Sequence, residues 1–339
     1  MVTIYDVAKR CGVSPSTVSK AINDYPAIPD ETKQRIKKIM AEMKYVPNLQ
    51  AKSLSKGKSR NIGILVYLEN EVTPFSHPLF GSILDSFAKY VNAKGYNILF
   101  VSHNVEGNAN PSLLKNIVSR NVEGVVILGD MDKPAVKEII DSEIRCIGFD
   151  YYGSKMAGVR TDGYTALKEV TRKLLGLGHR EIAYITGRED DITEARVKGF
   201  QDALYEAKIP FNTQNLLKGD YFNQAKAVEL TERILMRSSR PTAIIYPDDY
   251  TAIAGMRCIR NHGKRIPEDF SIVGFDGIEM GEYSSPRLST VVQDTKAIGE
   301  ALASSLIEEM GYQQASIKIH KSIEIPGVVK FKESVRKLR

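Results

Sequence analysis

From Asn61 onward, short continuous apolar runs alternate with helical stretches, and this alternation constrains the fold more than any other feature. The runs NIGILVY, YNILFV, GVVILG and RCIGF come first, and IAYITG, TAIIYP and FSIVGFD follow. Runs this short and this uniformly apolar read as parallel strands buried on both faces. Between them lie helical stretches at about 80–94, 111–120 and 134–142, then about 193–207, 223–237 and 251–263. Repeated strand–helix units demand a parallel sheet covered by helices. Two such series predict two doubly wound lobes, each with loops at the carboxyl ends of its strands. The cleft between them is the natural small-molecule site.

The first 60 residues differ in kind. They carry twelve lysines and arginines against five acids, a net charge of +7, whereas the other 279 residues are balanced at −1. A basic head on a neutral body predicts that the head meets a polyanion and the body does not. Thr3 can cap a first helix with Asp6 three residues on, and Gly12 suits the stop of that helix. Ser14 can cap a second helix with Pro15 at its first position, where the missing N–H costs nothing. That helix runs to about Asn23, with Val18, Ala21 and Ile22 on one face and Ser16, Thr17, Ser19 and Lys20 largely free. A third helix, from about Asp30 to Met43, buries Ile36, Ile39, Met40 and Met43. Two short helices about a glycine turn read as a helix-turn-helix, whose second helix enters the major groove of DNA. Pro15, Ser16 and Lys20 are then the expected base readers. A small three-helix bundle without a DNA role is the alternative.

The segment YVPNLQAKSLSKG (45–57) predicts a turn, a helix of about two turns and a basic linker. A helix that short is marginal in water, so it should form only when something packs against it. TIYDVAKRCGVSPSTVSKAIN, followed by YVPNLQAKSLSKGKSRNIGILV, resembles the head and hinge of the LacI/GalR family of repressors, and the similarity runs the length of the chain. The resemblance implies a homodimer, with a tetramer left open, that binds near-palindromic double-stranded operator DNA. The DNA contacts it implies are Thr3, Ser14, Pro15, Ser16, Thr17, Ser19, Lys20 and Asn23 in the head. In the hinge they are Asn48, Ala51, Lys52, Leu54 and Ser55. Hinge helices of two subunits would pair in the minor groove, with Leu54 wedged into the central base step and kinking the duplex. Ala51 matches the small residue at the hinge-helix contact. Lys52 replaces the commoner arginine but keeps the charge, and Pro29 stands where a serine cap is usual.

For the body, the resemblance implies a periplasmic-binding-protein-like α/β fold of two doubly wound lobes behind an all-α helix-turn-helix headpiece. The implied layout is a head at 1–46 and a hinge at 47–60. Lobe one takes 61–161 with 291–321, and lobe two takes 162–290 with 322–339. The last helix of lobe one is expected at about 295–311. Carried over motif by motif, the effector residues are Asp276 in SIVGFDG, Arg196 in EARVKGF, Asp248 in YPDDYTA, Phe222, Gln293 in VVQDT and Asp150 in IGFDYY. In lobe one, Phe75, His77 and Phe80 stand in a segment that departs from the family's pattern. An arginine fork and several acids suit the hydroxyls of a sugar; a purine, a sugar phosphate or a phosphorylated carrier protein as coeffector are the alternatives. His179, between a helix and a strand, is expected to be structural.

Other classes find little support. The sequence shows no catalytic triad, no metal-ligand spacing, no phosphate loop and no cofactor fingerprint, so no enzyme, metal or cofactor is expected. Three well-separated cysteines, Cys11, Cys146 and Cys258, suit a reducing compartment better than a disulfide framework. No apolar run reaches the roughly 18–20 residues that span a bilayer, and the N-terminus lacks a secretory h-region. A transport binding protein would need export, so the expected location is the cytoplasm, on the nucleoid when bound to DNA.

Overall fold

The computed structural model describes residues 2–46, 59–67, 77–101, 112–151, 153–311 and 322–338. The expected hinge contacts Asn48, Ala51, Lys52, Leu54 and Ser55, and the expected cleft residue Phe75, lie outside the described residues. The chain divides into two compact units, Met1–Arg60 and Asn61–Arg339.

Each helix of the head follows from its ends. In α1 (Ile4–Cys11) the Asp6 N–H donates to Thr3 Oγ1, and the Thr3 N–H donates back to the Asp6 carboxylate at 2.9 Å, a reciprocal cap. Gly12 ends it at φ +66°, a left-handed conformation that only glycine adopts without strain. Ser14 Oγ caps α2 (Pro15–Ile22) by accepting from the Thr17 N–H at 3.1 Å. Pro29 gives α3 (Asp30–Glu42) no side-chain cap, and Asp30 and Glu31 in the first turn complement the positive helix end instead. Val7, Ala8, Val18, Ala21 and Ile36 form the small core, with Ile39, Met40 and Met43 packed partly against it.

In the body, β1 (Asn61–Tyr67), β2 (Asn97–Phe100), β3 (Val122–Gly129), β4 (Arg145–Phe149) and β5 (Ala157–Thr161) form the first parallel sheet. Its helices are α4 (Pro78–Ala93), α5 (Leu113–Ser119) and α6 (Pro134–Ile140). Alternate residues of the strands feed cores on opposite faces: Ile62 and Ile64 on one, Leu65 and Ile127 on the other. The second sheet holds β6 (Ile182–Ile185), β7 (Leu216–Leu217), β8 (Ala243–Ile245), β9 (Ser271–Asp276) and β10 (Ser289–Val292). It is flanked by α7 (Gly163–Gly176), α8 (Asp191–Glu206), α9 (Gln224–Leu235) and α10 (Asp249–Asn261). The chain then returns to the first lobe through α11 (Thr295–Gly311) and β11 (Ser322–Ile325), and ends in the second sheet with β12 (Val328–Lys330). Strand orders are β11-β5-β4-β3-β1-β2 and β12-β10-β9-β8-β6-β7, and among the described residues only β12 runs antiparallel to its neighbour.

The third crossing between lobes differs from the sequence expectation of residue 321. Ser322–Ile325 pairs in parallel register with Gly158–Thr161, so these four residues extend the first sheet, and the chain crosses after Ile325. SIEI is an edge strand of alternating exposure, without the continuous apolar run that announces the central strands. Among the described residues, no helix is long and apolar enough to cross a membrane.

Candidate functional site

On the head, α2 turns Val18 and Ala21 into the core and leaves Ser16 and Lys20 exposed, one turn apart on the same face. Thr3 and Ser14 use their hydroxyls on caps, and the Asn23 side-chain amide donates to the Ser19 carbonyl at 2.9 Å. Ser16 and Lys20 are thus the side chains most free to reach a partner, whereas Thr3 caps α1 and Ser14, Pro15, Thr17 and Asn23 shape the helix that presents them. Ser19 is half-buried.

In the body, a cavity lies between the two lobes at the carboxyl ends of the central strands, where doubly wound sheets bind ligands. It is lined by Leu79, Phe80, Gly129, Phe149 and Asp150 from lobe one. Arg188, Ile192, Arg196, Tyr221, Phe222, Pro247 and Asp276 line it from lobe two, and Gln293 from the second crossing. Two glycines make room for the central arginine. A Cβ on Gly199 would sit 2.2 Å from the Tyr164 carbonyl oxygen, and one on Gly163 2.9 Å from Arg196 Cγ, so α7 and α8 approach closely only because both lack one. Arg196 is buried, stacks its guanidinium 3.6 Å from the Phe275 ring centre and donates to the Pro247 carbonyl at 2.9 Å. Asp276, the last residue of β9, takes φ +110°, a strained conformation for a residue with a side chain. It accepts from Gln293 Nε2 at 2.7 Å, and Gln293 in turn accepts from Thr161. The first two crossings are therefore linked to the cavity floor through one glutamine.

Burial sets the electrostatics. It pushes the carboxyl groups of Asp150 and Asp248 up to about 6 and that of Asp249 to about 7. Asp276 is raised well above the carboxylate range by burial first, then by the charges of Asp249 and Asp248, against the pull of Arg196 and Gln293. Arg196 Nε and Asp276 Oδ2 are buried without a hydrogen-bond partner, an unmatched donor and an unmatched acceptor on one cavity.

The structure thus brings Phe80, Asp150, Arg196, Phe222, Asp276 and Gln293 together on the cavity wall, and sets two expected residues behind it. Asp248 spends both oxygens on backbone: Oδ1 caps α10 through the Thr251 N–H at 2.8 Å, and Oδ2 accepts from the Phe222 N–H at 2.9 Å. It holds Phe222 at its left-handed φ of +57°. His77 caps α4 and is fully buried, its ring 4.4 Å from Phe80 and 4.2 Å from Phe222; burial lowers it to about 4, so it stays neutral. His179 is likewise buried, between Thr242 at 2.8 Å and the Arg336 carbonyl at 3.1 Å. The sequence reading missed Arg188 and Tyr221. Arg188 Nη1 reaches Asp130 of lobe one at 3.3 Å while Nε holds Asp190 at 3.2 Å, so it spans the cavity mouth. Its signal was available: a cation just past the carboxyl end of IAYITG.

Residues 3–48 match the family described as bacterial regulatory proteins, lacI family, and residues 171–335 match a periplasmic binding protein-like domain. The ribose operon repressor of Haemophilus influenzae is 30% identical over 314 residues, covering 91% of this chain and 92% of that protein. The chain belongs to the LacI family. Another LacI-family relative, the HTH-type transcriptional repressor PurR of Aliivibrio fischeri (strain MJ11), is 31% identical over 324 residues, with 91% of this chain and 92% of the relative covered. The fold is that of the Lac repressor dimer bound to operator and the anti-inducer ONPF, with a TM-score of 0.82 at 22% identity and 99% of each chain covered. This LacI-family protein is accordingly a DNA-binding transcriptional repressor with a helix-turn-helix head and an effector-binding body.

Proposed function

We propose that this repressor acts in the cytoplasm as a homodimer on a near-palindromic operator and is controlled by a neutral sugar bound in the cleft. The unmatched pair on the cavity wall carries the effector reading. Hydroxyls both donate and accept, so they suit a site whose residues Arg196 and Asp276 leave Nε and Oδ2 without a partner in the protein. A phosphate supplies acceptors only and would meet Asp150 and Asp276; the second cation, Arg188, is already held by Asp130 and Asp190. A purine would match both atoms as well. Against it, the Phe80 and Phe222 rings stand at 74° to each other and offer no parallel pair of faces for a flat base. The relatives include both a ribose operon repressor and the repressor PurR, and the purine stays as the second reading.

In this reading the ligand pulls the lobes together through Asp276, Gln293 and Thr161, and the segment 47–60 passes the change to the head. Coupling of this kind requires that the ligand bind the two arrangements unequally. A melting screen of pentoses, hexoses, sugar phosphates and nucleobases tests the effector class. A ligand at 100 times its Kd adds about 2.7 kcal/mol of stability. A neutral sugar should raise Tm, and Arg196→Ala should remove the rise. A shift with a nucleobase alone would replace the sugar by a purine. For the DNA side, retention on operator fragments should fall steeply with salt, and Leu54→Ala should weaken it if the hinge helices insert there.

A further inference from the structure

Away from the cleft, α9 and α10 of lobe two bring three ligating side chains together. Glu232 lies on α9, Cys258 on α10 and His262 at the C-cap of α10. One ligand atom from each falls within 4.8 Å of the other two. We propose that Glu232, Cys258 and His262 form a binding site for zinc or a similarly thiophilic divalent cation.

Cys258 and His262 are four residues apart, so a helical turn puts them on one face. Zn–S bonds of about 2.3 Å and Zn–N bonds of about 2.05 Å at a tetrahedral angle place sulfur and nitrogen roughly 3.6 Å apart. Here Cys258 Sγ and His262 Nδ1 are 3.8 Å apart. The Glu232 carboxylate lies within 4.8 Å of both other ligand atoms, a gap that rotation of its long side chain can close, and among the described residues it has no ion-pair partner to give up. A sulfur, nitrogen and oxygen donor set selects zinc-like ions over magnesium or calcium. The three residues also line a surface groove with Val228, Ile253 and Met280, which leaves a fourth coordination position open to water. On binding, the Cys258 thiol loses its proton to solvent. His262 takes the tautomer protonated at Nε2 and gives up the 2.9 Å contact between Nδ1 and the Cys258 carbonyl.

The test titrates the metal-free full-length protein with Co(II), then displaces it with Zn(II). The expected result is one ion per chain with a thiolate-to-cobalt charge-transfer band that zinc removes. Cys258→Ser should abolish the band. His262→Ala, at an exposed position that leaves the fold intact, and Glu232→Gln should each weaken affinity by about tenfold or more. Absence of the band in the wild type would overturn the proposal. So would a band that survives Cys258→Ser, one lost only with Cys11 or Cys146, or unchanged affinity in His262→Ala. If Cys258→Ser does not fold, the His262 and Glu232 variants decide alone.

Discussion

Lobe one meets the cleft with Leu79, Phe80, Gly129 and Phe149 and a single acid, Asp150. Lobe two meets it with Arg188, Arg196, Tyr221, Phe222 and Asp276. One wall is mostly apolar and the other carries both cations. The difference has a packing origin: on lobe two, Gly163 and Gly199 let α7 and α8 close around an arginine, whereas on lobe one His77 and Pro78 start α4 so that Leu79 and Phe80 face inward. In the proposed reading, polar discrimination belongs to lobe two and shape to lobe one. The link between them runs through Gln293, which touches Asp276 on one side and the first crossing at Thr161 on the other.

The sharpest way to break this asymmetry is Arg196→Ala. Truncating a buried charge-assisted contact costs about 2–5 kcal/mol, so effector affinity measured by calorimetry should fall on the order of 100-fold or more. Phe80→Ala on the other wall should instead act on stability. A buried Phe→Ala costs about 3–5 kcal/mol, so Tm should drop by several degrees with a smaller loss of affinity. A larger affinity loss from Phe80 than from Arg196 would reverse the assignment of the walls. Next comes Asp276→Asn, which keeps the shape but replaces one carboxyl oxygen by an amide NH2. Leaving a buried polar group mismatched costs about 1–3 kcal/mol, so the expected loss is roughly 10- to 100-fold.

A subtler effect tests the buried acids of lobe two through pH. Asp249 binds the Gly277 and Ile278 N–H groups at 2.8 and 2.9 Å, and its folded value of about 7 lies above its ordinary 3.8. The folded state therefore holds the extra proton between those values. The stability this contributes is present below about 3.8 and lost as pH rises to about 7. His77, depressed from 6.5 to about 4, acts in the opposite sense over 4–6.5, so the Asp249 effect is cleanest just above pH 6.5. Tm of the wild type should fall from pH 6.5 to 7.5 more than that of Asp249→Asn; equal slopes would contradict the buried, raised carboxyl. The smallest effect is expected from Asp130→Asn, because the Arg188 pair is partly exposed and such pairs contribute about 0–1 kcal/mol. Effector affinity should change less than about fivefold.

The central strands and every body helix but Gly163–Gly176 were legible because buried parallel strands are continuous apolar runs and the helices between them carry caps and a helical period. Thr295–Gly311 is found as expected. Five strands were not read: Ala157–Thr161, Leu216–Leu217, Ser289–Val292, Ser322–Ile325 and Val328–Lys330. They are short, and several lie at sheet edges where an apolar run is not required. In the cleft, residue type and motif placed Arg196, Asp276 and Gln293. They could not show that both Asp248 oxygens would be spent on backbone, because that depends on the left-handed turn at Phe222. Asp249 was hidden beside Asp248. Its only trace was Gly274, where a Cβ would lie 2.2 Å from Asp249 Oδ1.

The central claim is that occupancy of this cleft governs the grip of the head on DNA. Fluorescence anisotropy on an operator fragment selected from sheared genomic DNA, titrated with the sugar found in the melting screen, measures it directly. The account predicts that the sugar changes operator affinity of the wild type by at least about fivefold, the usual floor for coupling between two sites. In Arg196→Ala, operator binding should persist and the response should vanish. An operator affinity indifferent to the bound sugar, or an Arg196→Ala variant that responds like the wild type, would contradict it.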